Sequence, residues 1–172
     1  AKTVAFLIEQ FKAAGLQPGG DLKDGQRGWT QAVPLGKFQI KGPVTASISV
    51  NGKSQALQQG EQIAIRAAMN GQTDIDIQNA PLVFVGYGVN AAERGWDDFR
   101  GLDLKGKIAV VLINDPDFET GQGEFGGKAM TYYGRWTYKF EEMARRGAAG
   151  TLIVHETAPA SYGWPTVKNS NT

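Results

Sequence analysis

The chain has 172 residues, a length at which a single domain can bury a substantial apolar core. Its 18 lysines and arginines against 17 aspartates and glutamates leave a net charge of +1 with the lone histidine neutral, far from the basic field through which nucleic-acid binders neutralise phosphates. Cysteine is absent, which excludes disulfide frameworks and thiolate metal sites in any redox compartment, and no apolar run approaches the span of a bilayer. Neither nucleic acid nor membrane is an expected partner. Glycine is the outlier at 23 residues, about 13% and roughly double the usual share, which predicts many tight turns and argues against a helical bundle.

Taken in order, Thr3 to Ala14 carries Val4, Leu7, Ile8, Phe11 and Ala14 at three- and four-residue steps, the stripe of an amphipathic helix. Thr3 is the expected cap, and Gly15 the expected left-handed stop before Pro18. A helix of this length is marginal alone and needs a partner surface. Trp29 to Leu35 reads as a short strand. Val44, Ala46, Ile48 and Val50 alternate with Thr45, Ser47 and Ser49, so that a strand with one wet face is predicted. Asn51-Gly52 tolerates positive φ at both residues and predicts a hairpin returning through Lys53 to Leu57. Glu61 to Met69 is ambiguous, since Ile63 and Ile65 alternate while Ala67, Ala68 and Met69 favour helix. Asn70-Gly71 predicts a turn, and Thr73 to Ile77 a further strand.

Pro81 to Asp115 is the organising stretch. Its apolar runs, Leu82 to Val85 and Ile108 to Ile113, read as strands buried on both faces. Gly86-Tyr87-Gly88 lies between them. A phosphate-binding fingerprint would need a third glycine where Ala91 stands and a helix thereafter, so these glycines read as structural. Asp97, Asp98 and Asp103 lack the alternation of a calcium loop and read as turn and cap residues.

Asp117 to Trp136 is a polar, aromatic loop longer than most, and such loops often serve binding or lid roles. Tyr132, Tyr133, Arg135 and Trp136 could form a concave recognition wall for a peptide or sugar, or the aromatic rings could pin the loop over the sheet. Thr137 to Arg146 is the second predicted helix. Its stripe is Trp136, Phe140, Met143 and Ala144, its ion pairs are Glu141 with Arg145 and Glu142 with Arg146, and Gly147 is its stop. Thr151 to Val154 follows as a buried strand, completing a strand, loop, helix and strand order compatible with a right-handed crossover. Beyond Glu156 no terminating element is predicted.

His155 adjoins Glu156 at a strand end. A catalytic zinc takes three protein ligands, whereas this chain has one histidine and no HExxH arrangement, so His155 reads as a structural residue hydrogen-bonded near the sheet edge. None of the serines stands in a GxSxG elbow.

The run VFVGYGVNAAERGWDDFRGLDLKGKIAVVL, followed by MTYYGRWTYKFEEMARRGAAGTLIVHE and SYGWPTVKNS, resembles the protease-associated domain inserted in bacterial zinc aminopeptidases of the glutamate-carboxypeptidase-like family. AFLIEQFKAAGLQPGG and WTQAVPL resemble the segment that precedes the insertion and belongs to the peptidase domain. The resemblance implies a boundary near residue 38: residues 1–37 would begin the peptidase domain, and 38–172 would form the protease-associated domain, incomplete at its C-terminus. It implies a mixed α/β fold, mostly an antiparallel β-sandwich or partly open barrel with flanking helices.

Members of that family are exopeptidases in which two zinc ions activate water, and their ligands lie in the catalytic domain after the insertion. No such ligand can be carried onto this chain, so no catalytic residue, metal or cofactor is expected within it. The implied role is a non-catalytic lid, recognition or interdomain module in a periplasmic or secreted enzyme. Its partners would be the catalytic peptidase domain and the peptide substrate, and Tyr132, Tyr133, Arg135 and Trp136 would supply substrate-side or interdomain contacts. A free-standing peptide-binding or protein-interaction domain is the alternative. Self-association through the first helix is a further expectation, because an exposed apolar stripe is costly to leave in water.

Overall fold

The computed structural model describes residues 2–66 and 71–171, in two compact units, Ala1–Phe38 and Gln39–Thr172. In the first unit, Lys2–Ala13 forms α1, so Thr3 lies within the helix rather than capping it. Gly15 has φ +72°, its N–H donates to Lys12 O at 3.0 Å, and the Leu16 N–H donates to Phe11 O at 3.0 Å, which is a Schellman ending. No residue of α1 is buried. A two-residue hairpin follows, Leu22–Lys23 (β1) with Gln26–Arg27 (β2), turned by Asp24 and Gly25 at positive φ. Trp29 to Leu35 is not a strand. The chain there is held by loop hydrogen bonds, Asp21 N to Thr30 O at 2.9 Å and Ala32 N to Asp21 Oδ2 at 2.7 Å, which leave no ladder for it to join.

The second unit opens with the hairpin Ala46–Val50 (β3) and Lys53–Leu57 (β4), antiparallel and turned by Asn51 at φ +50° and Gly52 at φ +76°. Ala46 and Ile48 are half-buried while Ser47 and Ser49 are exposed, as alternation requires. Residues 61–66 form a turn and an irregular segment; Ala67, Ala68, Met69 and Asn70 lie outside the described residues. Thr73 to Ile77 forms no strand.

The two anchor runs become Leu82–Phe84 (β5) and Ile108–Leu112 (β8), and Gly150–Val154 (β9) completes a three-stranded sheet in the order β5-β8-β9. Between them, Asn90–Ala91 (β6) and Trp96–Asp97 (β7) pair antiparallel around a single 3-10 turn, Ala92–Arg94. Both pairings of the central sheet are parallel. The described residues contain no barrel or closed sheet, so the expected antiparallel sandwich or barrel gives way to several small sheets and helices in a mixed α/β arrangement. Parallel pairing needs a long crossover between strands. Here the β8 to β9 connection supplies it through Trp136–Arg145 (α2), and α2 packs on β9.

Burial divides the sheet. Ala109 and Val111 alternate onto one face, where Val85, Phe99, Leu104 and Met143 of α2 close a core. On the other face Leu82, Phe84 and Val154 are 43%, 61% and 39% exposed, so the strands are not buried on both sides as their composition predicts. A second cluster joins Val89, Ala91, Phe125 and Tyr138 beneath Tyr87 and Tyr133.

Gly88 belongs to the first core. At φ +63° it approaches so closely that a Cβ would lie 2.7 Å from Met143 Cε and 2.8 Å from Val111 Cγ1. Structural necessity therefore accounts for this glycine. The aspartates also behave as turn residues: Asp97 Oδ1 accepts from Phe99 N at 2.8 Å, Asp103 Oδ1 from Lys105 N at 3.0 Å, and Asp98 accepts from Val89 N and the Trp96 indole.

Helix α2 buries Tyr138, Lys139, Glu142 and Met143, a face rotated from the predicted stripe. Glu142 tolerates burial because Arg145 Nη2 at 2.8 Å and Arg146 Nε at 2.7 Å both donate to it, while the Arg146 guanidinium lies 3.5 Å from the centroid of the Phe99 ring. Glu142→Ala is expected to cost about 1–2 kcal/mol in urea denaturation, and Glu141→Ala, whose pair with Arg145 is exposed and 3.8 Å long, less than about 0.5 kcal/mol. The tail folds as well, into Thr157–Ala160 (α3) and Trp164–Asn171 (α4), with Pro165 in the first turn of α4 where its missing N–H costs nothing.

Candidate functional site

In open α/β sheets ligands bind beyond the carboxyl ends of the parallel strands, where loops diverge. In this chain that end gathers Tyr87 after β5, Asn114 and Asp115 after β8, and His155 after β9. Lys139 reaches the first three from α2. It is fully buried, and its Nζ donates to the carbonyls of Tyr87 and Asn114, the latter at 3.0 Å. Burial lowers its pKa to about 8, partly offset by the carboxylates of Asp115 and Asp98.

Asn114, at φ +74°, donates from Nδ2 to Pro159 O at 2.7 Å and so ties α3 to the sheet. Asp115 accepts from Thr131 N at 2.6 Å and Thr131 Oγ1 at 3.0 Å. Its carboxyl is pushed up by burial, against the lowering effect of those two bonds and of Lys139. The loop is thus fastened at Thr131, and Asp117 Oδ2 fastens it again by accepting from Phe125 N at 2.8 Å. Gly134 passes so close that a Cβ would meet Asp115 Oδ1 at 2.9 Å and the Asn114 carbonyl carbon at 3.1 Å.

The four loop residues singled out by the sequence do not form one wall. Tyr132, 56% exposed, donates from its hydroxyl to Glu141 Oε2 at 2.9 Å. Tyr133 is half-buried, with its ring edge-on to Phe125 at 5.8 Å and Tyr138 at 4.9 Å. Its hydroxyl donates to Glu93 at 2.6 Å, and that bond raises its pKa to about 12. Tyr133 therefore pins the loop. Arg135 is exposed, with no ion pair among the described residues. Trp136 is half-buried, edge-on to Phe140 at 6.3 Å, and its Nε1 is buried without a hydrogen-bond partner among the described residues.

Trp136 instead lines a recess of about 260 Å³ with Arg66, Tyr162, Thr166, Ser170 and Asn171. Helix α4 is drawn to the segment before Arg66 by Trp164 Nε1 donating to Gly60 O at 2.9 Å and by the Lys168 to Glu61 ion pair at 2.7 Å. Sequence reading missed this recess, because its walls come from three distant segments. The only local signal was Thr166 and Ser170 four residues apart, which a helix brings to one face.

His155 departs from expectation. Neither ring nitrogen has a hydrogen-bond partner among the described residues; the imidazole is packed instead, stacked on Tyr162 at 5.4 Å and tilted against Trp164 at 6.1 Å. Among the described residues no group of three His, Cys, Asp or Glu side chains could hold a metal, and the one imidazole packs against the rings of Tyr162 and Trp164. No described helix is long and apolar enough to cross a membrane. Comparison of the chain with protein-family models, curated proteins and solved structures finds no match.

Proposed function

We propose that this chain is a non-catalytic recognition and interdomain module of a zinc-dependent aminopeptidase, with the two zinc ions held by a catalytic domain that it accompanies in the periplasm or outside the cell. The observation that carries the interdomain part is the open apolar face of the parallel sheet, where Leu82, Phe84 and Val154 remain in water. Such contiguous apolar surface favours a protein partner. The apolar stripe of α1 offers a second surface of this kind, on which self-association would compete with docking to the peptidase domain. Resemblance supplies the identity of the partner. The segments that carry it coincide with the central sheet, α2 and the fastened loop, and they leave Tyr132 and Arg135 exposed on the side a peptide would approach.

The test uses the full enzyme. Phe84→Asp is expected to separate the unfolding of the module from that of the catalytic domain, and Tyr132→Ala with Arg135→Ala to lower kcat/KM on peptides by roughly tenfold with zinc content unchanged. Unchanged kcat/KM in the double variant would sink the recognition role, and a single unfolding transition in Phe84→Asp would sink the interdomain one.

A further inference from the structure

We propose that the recess between Arg66, Trp136 and α4 is a binding site for a small organic carboxylate. The site is complete within this chain and does not depend on an attached catalytic domain. Four of its lining residues, Arg66, Trp136, Thr166 and Ser170, carry side-chain donors that have no acceptor among the described residues. The Arg66 guanidinium lies 4.9 Å from the centroid of the Phe140 ring and has no ion-pair partner among the described residues. Stacking of that kind occupies the face of the guanidinium and leaves its N–H edge to donate. The Trp136 indole N–H is buried without a partner among the described residues, a condition that costs free energy. Thr166 and Ser170, one turn apart on α4, present hydroxyls that make no side-chain hydrogen bond among the described residues.

Among the described residues no carboxylate side chain lines the recess, and Arg66 is the one ionised group of its wall. One cation flanked by neutral donors matches one negative charge shared over two oxygens, whereas a phosphate would bring excess charge. Val167 and Tyr162 supply an apolar wall, which fits an acid carrying an aliphatic tail. The volume, about 260 Å³, restricts the ligand to a short-chain acid or the terminal residue of a peptide.

The probe is hexanoate, titrated into ¹⁵N-labelled protein while the Trp136 indole resonance, assigned by Trp136→Phe, is followed. A saturable shift is expected, with hexanamide and inorganic phosphate each at least roughly tenfold weaker. Arg66→Gln is expected to weaken hexanoate by roughly tenfold. Arg66 is exposed and lies outside helix and strand, so the rest of the spectrum should stay that of the folded protein. N-acetyl-leucine against hexanoate separates the sources: tighter binding of the former assigns a peptide terminus, tighter binding of the latter a free acid. The proposal is overturned by no saturable shift, by an equal response to hexanamide or phosphate, or by unchanged affinity in Arg66→Gln.

Discussion

Lys139→Met is expected to destabilise the fold by about 3 kcal/mol at pH 7, measured by urea denaturation. Methionine matches the length of the side chain but leaves the carbonyls of Tyr87 and Asn114 without the donor that joins β5 to β8, and it removes the positive charge facing buried Asp115. The wild-type protein should in turn gain stability above neutrality. Lys139 titrates near 8 when folded against 10.5 as an ordinary lysine, so between these values the unfolded chain holds a proton that the folded chain has released. Stability therefore rises with pH across this window, by about 2 kcal/mol from pH 8 to 10, and the increment is lost as pH falls through 8. The neutral amine still offers two hydrogens to two carbonyls, so deprotonation relieves charge burial without breaking either bond. Above pH 10 the tyrosines act in the opposite direction. Tyr133 is raised to about 12, and its contribution, present below pH 10, is lost as pH climbs toward that value. Lys139→Met should flatten the rise between pH 8 and 10. A wild-type stability that does not change over that interval would remove Lys139 as the titrating group.

Gly88→Ala is expected to cost a similar amount, about 3 kcal/mol, from two sources that add at one site. Alanine at φ +63° bears the left-handed penalty of about 1–2 kcal/mol. Its methyl group must also displace Met143 and Val111, both inside the closed core. Gly86→Ala provides the comparison. At φ +55° it bears the backbone penalty, but the nearest atom to its Cβ is Asp98 Oδ1 at 3.5 Å, an ordinary contact, so only about 1 kcal/mol is expected. Equal losses for the two variants would show that the core approach at Gly88 contributes nothing.

Much of this was legible in the sequence wherever the determining physics is local. Asn51-Gly52 makes its hairpin, Gly15 and Gly147 end their helices at positive φ, and the aspartates cap their own turns, because each depends on the conformational range of one or two residues. The failures have local explanations too. Asp24-Gly25 is as good a turn dipeptide as Asn51-Gly52, yet its strands are only two residues long and lack the alternation that makes a strand visible. The two helices after Glu156 have no clear sequence signal, because Pro159 and Pro165 lack the N–H a helix interior needs, although α4 accommodates proline in its first turn. The burial of Lys139 has no local signal, because a charged residue is seldom fully buried, and the two carbonyls facing it make that position tolerable. Of the four candidate loop residues, sequence identified the stretch but not the division of labour: Tyr133 holds the loop down, Trp136 lines the recess, and Tyr132 and Arg135 face outward.

The sequence by itself determined several local elements of this protein: the β3 and β4 hairpin, the apolar runs of β5, β8 and β9, its tight turns, its two longer helices and the absence of thiolate chemistry. Those follow from side-chain period, positive φ and composition, which act over a few residues. The tertiary structure alone decided that β5 joins β8 and β9 in one parallel sheet, that one sheet face stays open, and that Lys139 is buried. It also brought Arg66 and Trp136 to α4. Each of these rests on contacts between distant positions, such as Tyr138 with Asn90 across 48 residues and Trp164 with Gly60 across 104, whose free energy appears only once the whole unit has closed.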